Sequence, residues 1–497
     1  MMWSTLLIPI TATLAATAAV HAPTSSAAVG TNSSLDHSKG SEKIAKGDIS
    51  NGMTFQFTSH PDFPNHKLRI KESQLCGDKD EIYLGYLDIA EHTHLFFAFA
   101  ESRDKPDEDS VLLWLNGGPG CSSMAGFLLE NGPCLVTNGG NSSTFNPYSW
   151  NSNANMIFLD SPVKVGFSNA RKPVDTSRKT AEDIYAFMQL FYQVFPRFAM
   201  LDFILAGESY AGMYIPQVAS VIVQKNKLVD GASSNTIYVP LVSMAIGNGF
   251  VEIVSALSAE VDFACGKGVH KAIYNSSTCD ALYSQAKICG DLVATCRQEP
   301  TQQTCFQAEN ACLKLGQPWE YGELNPYDVS KECDRSLSKD GPFCYKEAFW
   351  ILAYLNRPEI RAELGLDDKV KPFELCSTSV YKAFAQNGDW VVNTPAPLSE
   401  LLEAGIKLLL YVGVNDYVCN FLANRYWITA MQWSGRQQYV NAPFREFILP
   451  DGKVVGMTKS SGPLTYLEVE GAGHLVPHDK PDEALKMINI WIREGHF

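Results

Sequence analysis

Six residues, Gly207-Glu208-Ser209-Tyr210-Ala211-Gly212, restrict the architecture of this chain more than any other stretch. The strand-like run Phe203-Ile204-Leu205-Ala206 leads into them, and a helix-compatible stretch with Tyr214, Ile215, Val218 and Ala219 follows. A serine between small residues at a strand-to-helix corner marks a nucleophile elbow, which lifts the hydroxyl above a sheet where a base can reach it. Small residues allow the tight turn. The fifth position of the usual G-x-S-x-G is Ala211, with Gly212 one step later, so the steric argument holds in weaker form. Alone, the motif fits an ordinary glycine-bounded turn as well as it fits a catalytic serine.

The surrounding pattern supplies the sheet. Val111-Leu112-Leu113-Trp114-Leu115 is a continuous apolar run, as expected of a strand buried on both faces. It runs into Asn116-Gly117-Gly118-Pro119-Gly120-Cys121-Ser122-Ser123. A phosphate loop is one reading, but its lysine is missing. The better reading is a loop exposing backbone N–H groups at a strand end, as in an oxyanion hole. Met156 to Asp160, Val242 to Ile246, Lys407 to Val414 and Thr465 to Val469 read as further strands. Residues 176–195 carry Ile184, Phe187, Met188, Phe191, Tyr192 and Phe195 at helical spacing, and a closing helix carries Leu485, Ile488, Trp491 and Ile492. Strand and helix in alternation predict a mostly parallel sheet. Residues 83–89 and 95–99 read as a β-hairpin with His92 and His94 in its turn.

From about Phe250 to Cys376 the strong strands disappear and cysteines become dense, which reads as an insertion over the sheet held by disulfides. Nine of the thirteen cysteines fall there, and the odd total leaves at least one thiol free or bonded to another chain. No C-x-x-C pair occurs, so zinc explains the cysteines poorly. They fit an oxidising compartment, as do the sequons at Asn32, Asn141 and Asn275. Residues 1–22 read as a secretory signal rather than a membrane anchor, and 23–52 as a leader or short propeptide, with ordered structure beginning near Met53. The catalytic unit would then span 53–497. The net charge of −14 argues against non-specific nucleic-acid binding.

A serine nucleophile needs a base, and the base needs an orienting acid. In α/β-hydrolases they follow in the order Ser, Asp or Glu, His. His474 sits in a glycine-rich loop after a strand, where a base would be presented; His478 and His496 are alternatives. A metal site using His474 and His478 lacks the glutamate of H-E-x-x-H. Asp416 follows a strand between the serine and these histidines, whereas Asp160 precedes the serine and suits a turn-capping role.

Trp114 to Ser123, Gly207 to Gly212, Asp416-Tyr417-Val418-Cys419-Asn420 and Gly473-His474-Leu475-Val476-Pro477 together resemble the serine carboxypeptidases, most closely the fungal and yeast branch. The similarity covers roughly residues 70 to 497, and this family carries alanine at the position of Ala211. It implies an α/β-hydrolase fold with a mostly parallel central sheet and a disulfide-rich cap insertion. By the same resemblance, Ser209, Asp416 and His474 would form the catalytic triad, and the N–H groups of Gly118 and Tyr210 the oxyanion hole. Asn116, Gly117, Glu130 and Glu208, supported by Trp114, would hold the substrate's terminal carboxylate. At least one glutamate must keep a proton to do so. The pocket for the departing residue would use Ala125, Leu129, Tyr327, Tyr345 and Leu475, and that before the cut Tyr210, Trp390, Val418 and Cys419. The implied disulfides are Cys121–Cys376, Cys265–Cys279, Cys289–Cys312, Cys296–Cys305 and Cys333–Cys344. Cys76 and Cys134 are left to pair, and Cys419 stays reduced.

The expected activity is C-terminal exopeptidase cleavage at acidic pH with a hydrophobic preference, needing no cofactor or metal, in a secreted or vacuolar protein whose partners are peptide and protein C-termini. The alternatives are acyl transfer or lyase chemistry on small metabolites, which relatives perform on this scaffold, and a non-catalytic glycoprotein. Asn116, Glu130 and Glu208 favour the peptidase over the first, and an intact triad argues against the second.

Overall fold

The computed structural model describes residues 45–50, 53–229, 235–315, 323–336, 339–366 and 370–497. The signal expected at 1–22, most of the leader at 23–52 and the sequon at Asn32 lie outside the described residues.

The strands are β1 (Ala45–Ser50), β2 (Met53–His60), β3 (Phe63–Ser73), β4 (Ile82–Ala90), β5 (Thr93–Ala100), β6 (Val111–Leu115), β7 (Cys134–Thr137), β8 (Ser142–Phe145), β9 (Asn155–Leu159), β10 (Phe203–Glu208), β11 (Leu241–Gly247), β12 (Lys407–Gly413), β13 (Arg445–Ile448), β14 (Val454–Ser461) and β15 (Leu464–Val469). Thirteen form one sheet in the order β1-β2-β3-β4-β5-β9-β6-β10-β11-β12-β15-β14-β13, while β7 pairs with β8. From β9 to β15 the neighbours are parallel, as the alternation of apolar runs and helices predicts.

The wings differ from the sequence reading. They are antiparallel, from β1 through β5 to β9 on one side and from β15 through β14 to β13 on the other. Only the β4–β5 hairpin was legible in advance. β1 falls inside the expected leader and pairs with β2, so described structure begins before Met53. His94 lies in β5 rather than the turn, with Nδ1 2.6 Å from Asp88 Oδ1.

All residues of β6, β9 and β10 are buried, and their side chains feed two cores, one on each face. Leu113, Ile157 and Leu205 pack with the helices Ser177–Val194 and Ala211–Asn226. Leu112, Phe158 and Ala206 pack with the closing helix Pro481–Glu494. That helix buries Ala484, Met487, Ile488 and Trp491, and leaves the expected Leu485 and Ile492 partly exposed at the edge of its apolar face.

Among the described residues, the stretch between β11 and β12 holds helices and turns but no strand of the main sheet. Its longest helix, Ser276–Gln298, buries only Cys279, Cys289, Val293 and Cys296. Three of these four are bridged: Cys265–Cys279, Cys289–Cys312 and Cys296–Cys305. Covalent closure of short loops thus replaces an apolar face too small to anchor 23 residues. Cys333–Cys344 closes another cap loop, Cys121–Cys376 ties the cap to the loop after β6, and Cys76–Cys134 lies outside the cap. No helix among the described residues is long and apolar enough to cross a membrane.

Candidate active site

The carboxyl ends of the parallel strands converge on Ser209. Its φ is 60°, in the left-handed region that costs a side-chain-bearing residue strain. Backbone bonds hold it there: Ser209 N donates to Gly247 O at 3.0 Å, and Ser209 O accepts from Phe250 N at 2.9 Å. The helix Ala211–Asn226 starts two residues later, which puts its positive end beside the hydroxyl. The loop after β6 runs against this corner. A Cβ on Gly117 would stand 2.3 Å from Tyr210 N, so only glycine permits the approach.

That loop is fixed on both sides. Ser122 N donates to Leu375 O and Ser377 N to Gly120 O, both at 2.8 Å, beside the Cys121–Cys376 bridge. Ser122 Oγ donates to Asp160 at 2.5 Å, and Phe167 N donates to the same carboxyl at 3.0 Å. Asp160 therefore braces two loops, in keeping with a capping role. Burial pushes its pKa up to about 6.

Asp416 lies in the turn after β12, fully buried, and its Oδ2 is 2.7 Å from His474 Nδ1. Asn248 Nδ2 (2.8 Å), Val418 N (2.9 Å) and Cys419 N (3.1 Å) donate to the same carboxylate. Burial alone would lower the pKa of His474, but the charge and hydrogen bond of Asp416 outweigh it and the net shift is upward. His478 instead sits 3.2 Å from Asp479, and His496 is exposed near the chain end. Asp416, Cys419 and His474 bring potential ligand atoms within 4.8 Å, a closeness the hydrogen bonds just described account for.

A second group lies beside the elbow. Asn116 Nδ2 donates to Glu130 Oε1 at 3.1 Å and to Glu208 Oε1 at 2.9 Å. Trp114 Nε1 (2.9 Å) and Gly126 N (3.0 Å) donate to Asn116 Oδ1 and fix the amide's orientation. Both glutamates are buried, and the other oxygen of each meets no partner among the described residues. Burial raises the pKa of both; for Glu208 the Glu130 charge adds to it. The pair therefore retains protons where an exposed carboxyl would not.

Ser209, His474, Asn116, Gly117, Gly118, Glu130 and Glu208 all line one cavity of about 500 Å³. Ala125, Leu129, Tyr327, Tyr345 and Leu475 line it as well, together with Val418. Three expected wall residues do not. Tyr210 and Cys419 are buried, and Trp390 stands behind the wall residue Tyr381, with ring centres 5.5 Å apart. Burial, then the Asp416 charge, raises the Cys419 thiol pKa well above its ordinary value. Phe343, Leu375 and Tyr381 in the wall, and Asn248 behind the acid, were not foreseen. Asn248 was recoverable: Gly247-Asn248-Gly249 ends a strand of the parallel sheet. The cap residues carried no such signal.

Residues 75–494 match the family described as serine carboxypeptidase. The chain is 38% identical to carboxypeptidase Y of Schizosaccharomyces pombe over 446 residues, covering 88% of this chain and 44% of that protein. It is 37% identical to carboxypeptidase Y of Candida albicans over 448 residues, covering 88% of this chain and 79% of that one. A prohormone-processing carboxypeptidase from Saccharomyces cerevisiae shares the fold, with a TM-score of 0.68 at 23% identity over 87% of this chain and 92% of that one. The chain belongs to the serine carboxypeptidase family.

Proposed function

We propose that this serine carboxypeptidase releases the last residue of peptides and proteins through an acyl-enzyme on Ser209. The carrying observation is that the Asn116–Glu130–Glu208 group opens on the same cavity as Ser209 and His474. Ser209 Oγ attacks the scissile carbonyl while His474 takes its proton. His474 then protonates the departing amino group, and the C–N bond breaks. Water, deprotonated by His474, hydrolyses the ester and restores Ser209. Asp416 holds the imidazole and stabilises its cationic form. The N–H groups of Gly118 and Tyr210 carry the oxyanion.

The substrate's terminal carboxylate accepts from the protonated glutamates and from Gly117 N–H, while Asn116, both of whose amide hydrogens go to the glutamates, holds the pair in place. This arrangement favours acidic conditions and an exopeptidase cut, since a mid-chain amide has no anion to offer. Acyl transfer or lyase chemistry on small metabolites has no comparable use for the pair. The apolar walls favour hydrophobic side chains. The disulfides and the exposed sequons at Asn141 and Asn275 support passage through the secretory pathway to the vacuole or cell exterior. Wild type and Ser209→Ala, incubated with an N-blocked dipeptide at acidic pH, test the reading. Free amino acid from wild type alone supports it; none from either overturns it.

A further inference from the structure

A second cluster of buried carboxyls lies behind the elbow, and the chemistry above does not use it. Asp389, 3% exposed, opens the short turn Asp389–Val391. Its Oδ1 accepts from Ser177 N at 2.9 Å, and its Oδ2 from Ser177 Oγ at 2.5 Å and from the Tyr210 hydroxyl at 3.0 Å. Ser177 is the first residue of the helix Ser177–Val194, so the carboxyl meets that helix at its positive end.

Glu309, on the helix Gln302–Leu313, lies within electrostatic reach of Asp389, and neither of its buried oxygens has a hydrogen-bond partner among the described residues. Two such carboxyls cannot both carry charge cheaply. Asp389 has three donors and a helix end, and Glu309 has neither, so the charge belongs on Asp389 and the proton on Glu309. The other charged or titratable groups around the pair are Tyr214, whose hydroxyl accepts from Gly120 N, Tyr381, Asp175 with its partner Lys179, and Arg297, which donates to Val391 O and pairs with Glu252.

Tyr210 joins this cluster to the reaction. Its ring lies 5.0 Å from Trp390 and 5.9 Å from Phe250, and its hydroxyl is the polar end that can set the ring's position. Its backbone lies against Gly117 in the loop after β6. Fixing both ends of the side chain fixes the peptide that carries the Tyr210 N–H.

We propose that Asp389 is a positioning residue for the reaction: it anchors the Tyr210 hydroxyl to the helix Ser177–Val194 and thereby aims the Tyr210 N–H at the oxyanion. This rests on the oxyanion role given to that N–H above. Removing an oxyanion donor outright costs about 100-fold or more in kcat, so loosening one costs about tenfold.

Tyr210→Phe removes only the hydroxyl and keeps ring and backbone; Asp389→Asn replaces the acceptor with an amide of the same shape. Each is expected to lower kcat on an N-blocked dipeptide about tenfold with KM within about twofold, and the double variant to lose no more than the worse single one. A peptide aldehyde, which forms a tetrahedral adduct, should bind more weakly in step with kcat, while the free product amino acid binds as before. An altered fold would move both ligands together. Wild-type kcat in Tyr210→Phe, or losses that multiply in the double variant, overturns the proposal. If Asp389→Asn does not fold, Tyr210→Phe with the aldehyde decides alone. A wild-type enzyme that releases no amino acid would instead overturn the peptidase reading.

Discussion

At the scale of single residues, the proposed carboxylate site makes the two buried glutamates the source of a pH response in binding. Burial raises the pKa of both. Protonated, the pair donates to a substrate carboxylate; ionised, it repels it. KM should therefore rise as pH climbs through the pair's titration. Glu208→Gln, which donates at every pH, should give a shallower rise in KM, measured with an N-blocked dipeptide from acid to neutral pH. A profile as steep as wild type would show that Glu208 is not the titrating group. Asn248 offers a second test. It donates to Asp416 Oδ2 at 2.8 Å and accepts from Gly413 N at 3.0 Å. A hydrogen bond to a charged group contributes about 1.5–3 kcal/mol, so Asn248→Ala should lower kcat by roughly ten- to 100-fold. It should also move the pH midpoint of kcat, since Asp416 would hold His474 less firmly. The candidate triad could be read in advance because Ser209, Asp416 and His474 each follow a strand in the expected chain order. Asn248 was passed over because an asparagine that serves an acid has no motif of its own.

At the scale of elements, the loop after β6 and the cap form one mechanical unit. Cys121 and Cys376 join them across 255 residues of chain. Closing a loop of that size stabilises by about 5 kcal/mol in the chain-entropy model. Cys121→Ser with Cys376→Ser should lower the melting temperature by several degrees and cut kcat more than that loss explains, because the loop proposed to carry the oxyanion loses its anchor. Differential scanning calorimetry beside turnover at a temperature where the variant is fully folded separates the two effects. The elements themselves divide by legibility. Buried parallel strands such as β6 and β10 announce themselves as continuous apolar runs. The antiparallel wings do not: β3 alternates irregularly between exposed and buried residues, and β13 is four residues long with one buried side chain. The cap's helix Ser276–Gln298 is held by cysteines rather than an apolar stripe, so periodicity could not frame it.

At the scale of the whole molecule, buried carboxyls tune stability to acid. Burial, reinforced by Asp389, pushes the Glu309 pKa from 4.5 up to about 9. Between those values the unfolded chain has released this proton and the fold still holds it. Stability therefore falls as pH rises through that window and levels off above it. Glu208 and Glu260 are shifted in the same direction, chiefly by burial, and add to the slope. Glu309→Gln should flatten part of it, so that the melting temperature falls less than in wild type between pH 5 and pH 9. An unchanged slope would mean that Glu309 is ionised in the fold. None of this was legible in sequence, where Glu309 is the single acidic residue of a short polar helix.

The sheet that carries the active site also partitions the molecule. Leu112 and Leu113 are adjacent in sequence, yet they belong to different cores. Packing strain passes through side chains in contact, and the central strands place a layer of backbone between the two sets. Each face can therefore drift in sequence with little account of the other, as two separate inheritances. They meet at the carboxyl ends of the strands, where Ser209, Asp416 and His474 stand, and there a change on either face must be reconciled with both.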